Sequence, residues 1–295
     1  MQHTLRNNRT VLFVAIAAIT TAIGRADDES PIDVGNRKQL FIDSYFFAKS
    51  ENISLRVTPP VKTGERTLIS DSLWENASLN WFSVLEDDGK YRMWYECYDV
   101  EGWPTSDDTS FCYAESADGI HWNKPSLGFF AYHGANDTNI LFRQVGEAGA
   151  RSRVHGAGVF LDPNAPQDAR YKAVSQGAFA DEQPPQRISA MTSPDGLHWS
   201  RIPHPICDVF ADSQYSAFWD ADIAQYVLYG RVGGRGRAIG RATSATFDRF
   251  DPLALVFQTD ESDPANCDLY NPAALKYPYA DRVYFMFPSM YHHDA

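Results

Sequence analysis

Apolar positions along this chain recur with a period of two in short runs, and each run ends in a turn signal. Trp81-Phe-Ser-Val-Leu85 leads through Glu86-Asp-Asp-Gly89 into Tyr91-Arg-Met-Trp-Tyr95, and the chain returns as Phe111-Cys-Tyr-Ala-Glu-Ser116. Such a period sets side chains alternately on the two faces of an extended segment, so these runs predict β-strands. The order strand, turn, strand, loop, strand, turn, strand then repeats. Its second copy runs through Gly158–Leu161, Tyr171–Val174, Ile188–Met191 and Trp199. A third, more diverged copy runs through Tyr215–Trp219, Tyr226–Tyr229, Arg237–Arg241 and Ser244–Phe250. No amphipathic helical stripe follows the first 26 residues. The pattern predicts an all-β fold.

Two of the turns share one phrase, Ser116-Ala-Asp-Gly-Ile-His-Trp122 and Ser193-Pro-Asp-Gly-Leu-His-Trp199. Glycine tolerates the positive φ of a tight turn, Asp can bond to the backbone just beyond it, and Trp supplies an apolar anchor. Phe250 takes the Trp slot in the third copy, so the anchors fall at 122, 199 and 250. Four strands per unit at this spacing predict propeller blades, at roughly 74–130, 153–206, 212–260 and 268–295. Only about three and a half blades are accounted for, which predicts a fragment or truncated product, because an open ring exposes long unpaired edges. Leu40-Phe-Ile-Asp-Ser-Tyr-Phe-Phe47 is expected to supply a closing strand. Gly233-Gly-Arg-Gly236 reads as a hairpin turn, since no helix follows it to cradle a phosphate.

Charge and targeting narrow the partners. Arg6 and Arg9 precede an apolar run from Val11 to Ile23 and the small-residue exit Gly24-Arg-Ala26. That order reads as a signal peptide over 1–26, because the run is shorter than the ~20 residues needed to span about 30 Å of hydrocarbon. A secreted or periplasmic protein is expected. Cleavage removes three arginines and no acid, moving the net charge from −12 to −15. Such a surface repels phosphates, which argues against nucleic acid and, after signal cleavage, against a membrane. Cys97, Cys112, Cys207 and Cys267 lack zinc-site spacing. Buried free thiols are expected ahead of a Cys97–Cys112 bridge.

The turn phrases, the Tyr91–Tyr95 strand and Tyr226-Val-Leu-Tyr-Gly-Arg231 resemble those of the secreted five-bladed β-propeller proteins of the glycosidase type. These include family 32 (invertase and levanase type) and family 43 (arabinosidase and xylosidase type) glycoside hydrolases. The resemblance covers residues 37–295 and concerns scaffold features. It implies a five-bladed all-β propeller, paired carboxylates acting on a glycosidic bond, an oligosaccharide or polysaccharide partner, and no cofactor. A non-catalytic propeller that binds glycan or protein is the alternative. In the sialidase type one residue separates the Asp and Gly of the turn box, whereas Asp118-Gly119 and Asp195-Gly196 are adjacent.

In such propellers the start of each blade's first strand meets the substrate, so polar residues there are the candidates. They are Trp74-Glu-Asn76, Arg153-Val-His155, Asp212-Ser-Gln214 and Asp268-Leu-Tyr-Asn271. Glu75 is expected as proton donor, with Trp74 desolvating it. Asp212 and Asp268 are expected as base and as orienting carboxylate. Trp74, Asn76, Arg153, His155, Gln214, Tyr270 and Asn271 complete the expected substrate contacts, and Asp43 is a weaker acid candidate. Taken singly, each acid is better explained as a solvated loop acid or a strand-start cap, and Trp74 and Tyr270 equally suit a sugar face or the core. No metal site is expected, His292-His-Asp294 being a pair at a chain end. The invertase-type Trp-Met-Asn-Asp-Pro-Asn-Gly stretch and an Arg-Asp-Pro motif are absent. The Glu-Cys acid motif survives only as echoes at Glu96-Cys97 and Asn266-Cys-Asp268. These departures argue against sucrose or fructan hydrolysis.

Overall fold

The computed structural model describes residues 31–99, 109–143, 154–179, 182, 186–210 and 212–293. The signal peptide read at 1–26 and Arg153 lie outside them. The chain divides into two compact units, residues 1–55 and 56–295. In the first, the segment 40–47 is not the closing strand that its apolar residues suggest. The Asp43 carboxylate accepts the Tyr45 N–H at 2.8 Å, and Phe47 N–H bonds the Ser44 carbonyl at 3.0 Å. Local bonds of this kind compete with a strand ladder.

The second unit is built of antiparallel sheets, and along the first and third the strands follow chain order. The first sheet holds β1 (Ser78–Asp87), β2 (Lys90–Tyr98), β3 (Ser110–Ser116) and β4 (Ile140–Arg143). The second holds β5 (His155–Leu161), β6 (Tyr171–Ala178) and β7 (Gln186–Ser193), with β8 (Ser200–Arg201) and β9 (Cys207–Phe210) both paired to β7. The third holds β10 (Ser216–Asp220), β11 (Gln225–Gly234), β12 (Gly236–Ser244) and β13 (Ala254–Phe257). Beyond it, β14 (Cys267–Leu269) pairs with β17 (Met290–His292), and β15 (Ala274–Lys276) with β16 (Tyr284–Met286). Gly236, at φ 73°, turns the β11–β12 hairpin. The inner strands fall where the period-two runs place them. The outer strand of the first sheet does not follow Trp122, where the chain makes only a bridge between Glu115 and Asn123, but comes at β4.

Alternation along β2 assigns its two faces. Trp94 packs with Tyr171 and Met191 of the second sheet, whereas Met93, Tyr95 and Cys97 pack on the opposite face with Cys112 and Ile140. All four cysteines are buried and free, with the sulfurs of Cys97 and Cys112 3.5 Å apart.

One latch recurs between successive sheets. Asp87, Asp162 and Asp220, each at the end of a first strand, accept hydroxyl hydrogen bonds from Tyr171, Tyr226 and Tyr284 of the next sheet. A cation completes each: Arg170 at 2.6 Å, Lys172 at 3.0 Å and Lys276 at 2.6 Å. Burial pushes these carboxyls up, but the hydroxyl and cation partners outweigh it and hold all three below the usual range.

The shared turn phrase folds twice in the same way. Asp118 Oδ1 accepts the N–H groups of Ile120 and His121 at 2.8 Å each, and Asp195 Oδ1 accepts those of Leu197 and His198 at 2.9 and 2.8 Å. The indoles of Trp122 and Trp199 donate to the carbonyls of Gly119 and Gly196 at 3.1 and 2.9 Å. These polar groups satisfy one another, so the phrase is a corner.

First strands of neighbouring sheets lie side by side. Ser83 Oγ donates to the Ala157 carbonyl at 3.0 Å, and Tyr215 N–H bonds the Gly156 carbonyl at 3.2 Å. Gly156 has φ +64°, and a Cβ there would lie 2.0 Å from the Ser213 carbonyl oxygen. Gly156→Ala should therefore cost about 3 kcal/mol or more, read as a lowered midpoint of chemical unfolding. An unchanged midpoint would mean the two first strands are not in contact.

Candidate active site at the first-strand entrances

The strands β1 and β5 break register at the same place. Pairing of β1 with β2 slips between Asn80 and Ser83, and that of β5 with β6 between His155 and Gly158. Trp81 (φ 54°) and Gly156 (φ 64°) occupy the same left-handed position in the two bulges. A bulge re-aims the side chains beside it. The Trp81 ring stands perpendicular to His155 at 5.7 Å and parallel to Tyr270 at 5.7 Å.

His155 is the hub. Its Nδ1 lies 2.9 Å from Glu96 Oε1, and its Nε2 lies 3.6 Å from Asp212 Oδ1. The other Glu96 oxygen accepts the Gly156 N–H at 3.0 Å. Glu96 alternates with Tyr95 and Cys97 along β2, which puts it on the Trp94 face, toward the second sheet. Asp212 Oδ2 accepts from Arg231 Nη2 at 2.7 Å, and that guanidinium lies over the Tyr270 ring at 5.5 Å. Arg237 covers Tyr270 and Tyr291 at 5.2 and 4.5 Å, and its backbone N–H bonds Asp268 Oδ2 at 3.0 Å. His293 Nε2 stands 3.1 Å from the same oxygen.

The two aspartates differ in what they can do. The His155 contact, joined by the Arg231 ion pair, outweighs partial burial and holds the Asp212 carboxyl down at about 2. Its side chain is 47% exposed. An ionised, half-exposed carboxylate fixed on both sides suits a nucleophile or a charge beside an oxocarbenium ion, and not a proton donor. Asp268 is 3% exposed. Burial pushes its carboxyl up, but the Arg237 N–H, His293 and the Arg237 guanidinium outweigh it and the carboxyl is lowered. Asp268 thus holds Arg237 against the aromatic rings.

Of the residues read from the sequence, His155, Asp212, Gln214, Asp268, Tyr270 and Asn271 are brought together. Gln214 Nε2 donates to the carbonyls of Phe82 and Ala157 at 3.0 and 3.2 Å, tying the two bulges. Asn271 Nδ2 reaches Gln214 Oε1 at 3.5 Å. Glu75, Trp74 and Asn76 are not part of this cluster. Glu75 is fully buried on the Tyr95 face of the first sheet, where Tyr95 hydroxyl donates to it at 2.5 Å and Lys124 Nζ at 2.6 Å. The Trp74 indole N–H goes to Asn139 Oδ1 at 3.0 Å, and Asn76 caps the short 3-10 turn Leu73–Glu75 at an exposed position.

Sequence reasoning passes over Trp81, Arg231 and Arg237, and takes Glu96 only as an interior echo of an acid motif. The available signal for Glu96 is a charge inside the apolar run Tyr91–Tyr98. Among the described residues no group of three metal-ligating side chains occurs, and no helix is long and apolar enough to cross a membrane. A separate concavity of about 440 Å³ is lined by Tyr229, Arg241, Val256, Phe257, Met286 and Pro288. None of these belongs to the cluster.

No family model matches the chain. An uncharacterised protein of Mycobacterium tuberculosis is 29% identical over 153 residues, covering 50% of this chain and 41% of that protein. The match thus spans less than half the length of the curated relative. An α-L-arabinanase mutant of Cellvibrio cellulosa superposes with a TM-score of 0.51 at 12% identity, over 78% of this chain and 76% of its own. A structure from the GH130 family of mannoside phosphorylases, said to contain glycoside hydrolases that target β-1,2 mannosidic linkages in Candida mannan, superposes with a TM-score of 0.51 at 14% identity, over 76% and 74%. The all-β fold of antiparallel sheets is similar to that of these two structures. Identities this low speak to the fold alone. The cluster around His155 lies at the starts of neighbouring first strands.

Proposed function

We propose that the protein is an exported five-bladed propeller of the glycosidase type that acts on a glycosidic bond of an oligosaccharide or polysaccharide, with Asp212 as its working carboxylate. The observation that carries this reading is the meeting of Glu96, His155, Asp212 and Arg231 from three different sheets. An oxocarbenium-like transition state calls for an anionic carboxylate close to the sugar ring, and Asp212 is anionic, fixed and partly open to solvent. The resemblance implies five blades, and a further sheet against the first is supported by Tyr91. It holds the sequence position of Tyr171, Tyr226 and Tyr284, on the face of the first sheet turned away from the second, and is read as the latch for a sheet packed there. The signal sequence over 1–26 supports export.

A second reading, glycan binding without cleavage, is favoured by one observation. Glu75, Glu96 and Asp268 are all buried and tied to hydrogen-bond donors, so none of the three is an open partner acid for Asp212. A glycan array, run with the full-length protein and followed by assay of released sugars, separates the two. Cleavage supports the first reading and tight binding without product supports the second. Neither binding nor product overturns both.

A further inference from the structure

We propose that Trp81 is a sugar-stacking residue, its indole receiving the C–H face of the saccharide unit beside Asp212; this rests on the glycan reading above. Its backbone carries the first argument. A bulky aromatic at φ 54° is an outlier, because the left-handed region crowds a side chain and is left mainly to glycine. The equivalent position of the sister bulge in β5 is Gly156. The bulge therefore needs no ring, and β1 keeps one against local strain. Strain of that kind persists where the surrounding structure enforces it and clusters at functional sites.

The ring's surroundings carry the second argument. The bulge aims the indole away from the apolar interior: Trp81 is half-buried and is no member of the three buried apolar clusters. It stands perpendicular to His155, whose Nε2 faces Asp212, and parallel to Tyr270. Tyr270 in turn lies under the guanidiniums of Arg231 and Arg237. The indole is thus fixed in orientation by two rings, one of which, His155, also reaches the half-exposed carboxylate. Sugars present an apolar face of C–H groups and a polar rim, which matches an aromatic wall beside an ionic group.

The test compares the full-length wild type with Trp81→Asn, Trp81→Gly and Trp81→Phe, using the tightest array oligosaccharide as probe in titration calorimetry. Asn and Gly accept the left-handed backbone, so both should keep the thermal midpoint within a few degrees. They should weaken binding at least ~10-fold while Phe holds it within ~3-fold. In protein labelled with 5-fluorotryptophan, the resonance lost in Trp81→Phe should shift when the oligosaccharide is added. Wild-type affinity in the Asn or Gly variant, or an unmoved resonance, would make Trp81 a packing residue and leave the glycan reading standing. A wild type that binds no glycan would sink both.

Discussion

Asp212→Asn should lower turnover of the cleaved glycan by at least ~1000-fold, about 4 kcal/mol of transition-state stabilisation, while leaving the fold intact. The amide keeps the shape and one acceptor for Arg231 but removes the charge that a base, a nucleophile or an oxocarbenium partner must carry. The pair with Arg231 is half-exposed and worth at most about 1 kcal/mol to stability, so the thermal midpoint should move little. The pH dependence gives a second check. With its carboxyl held down at about 2 by His155 and Arg231, Asp212 stays ionised from neutral pH to well below pH 4. An acid limb in the wild-type rate profile above that range therefore belongs to another group, and no pH should restore activity to the Asn variant. Wild-type rates in Asp212→Asn would remove Asp212 from the reacting atoms.

Lys124→Met is expected to be the most damaging change to stability. Lys124 Nζ lies 2.6 Å from Glu75 Oε2, 2.6 Å from Asp71 Oδ1 and 2.7 Å from the Ile69 carbonyl. Side-chain exposure is 13% for Lys124 and 0% for Glu75. Removing the cation leaves a buried carboxylate uncompensated, which costs about 3–5 kcal/mol and should lower the melting temperature by roughly 6–20 °C in a unit of this size. Burial pushes the Lys124 ammonium down, but its bonds to Asp71 and Glu75 outweigh that and raise it. A raised folded-state value stabilises below the ordinary lysine value of about 10.4. That contribution is complete at neutral pH and fades as pH climbs through the folded value. Glu75→Gln keeps an acceptor for Tyr95 and leaves Lys124 paired with Asp71, so a smaller loss is expected, with turnover retained in the folded fraction. Lost turnover at an unchanged melting temperature would instead return Glu75 to the chemistry.

Glu75 and Glu96 mark the limit of what is legible in the sequence. Both are single acids next to aromatic residues at strand starts or in strand runs. Alternation along β2 already separates Tyr95 from Glu96, because period two sends neighbours to opposite faces. What alternation does not reveal is which face meets the second sheet. That depends on Trp94 packing against Tyr171 and Met191, a contact between residues about 80–100 apart in sequence. Trp81 is hidden for a different reason. Its role follows from a register slip, and a slip is a property of two strands together.

Local chemistry was enough to determine the strands, their turns and the two Asp-Gly corners, because period, glycine φ and Asp-to-backbone bonds act within a few residues. It also marked the first-strand starts as the place for polar chemistry, and His155, Asp212, Gln214, Asp268, Tyr270 and Asn271 do converge there. Only the tertiary structure decided that Glu75 belongs to a buried ion pair with Lys124, that Glu96 belongs with His155, and that 40–47 turns on itself. Those outcomes depend on which faces and strand ends meet, and such meetings are set by packing between segments far apart in the chain.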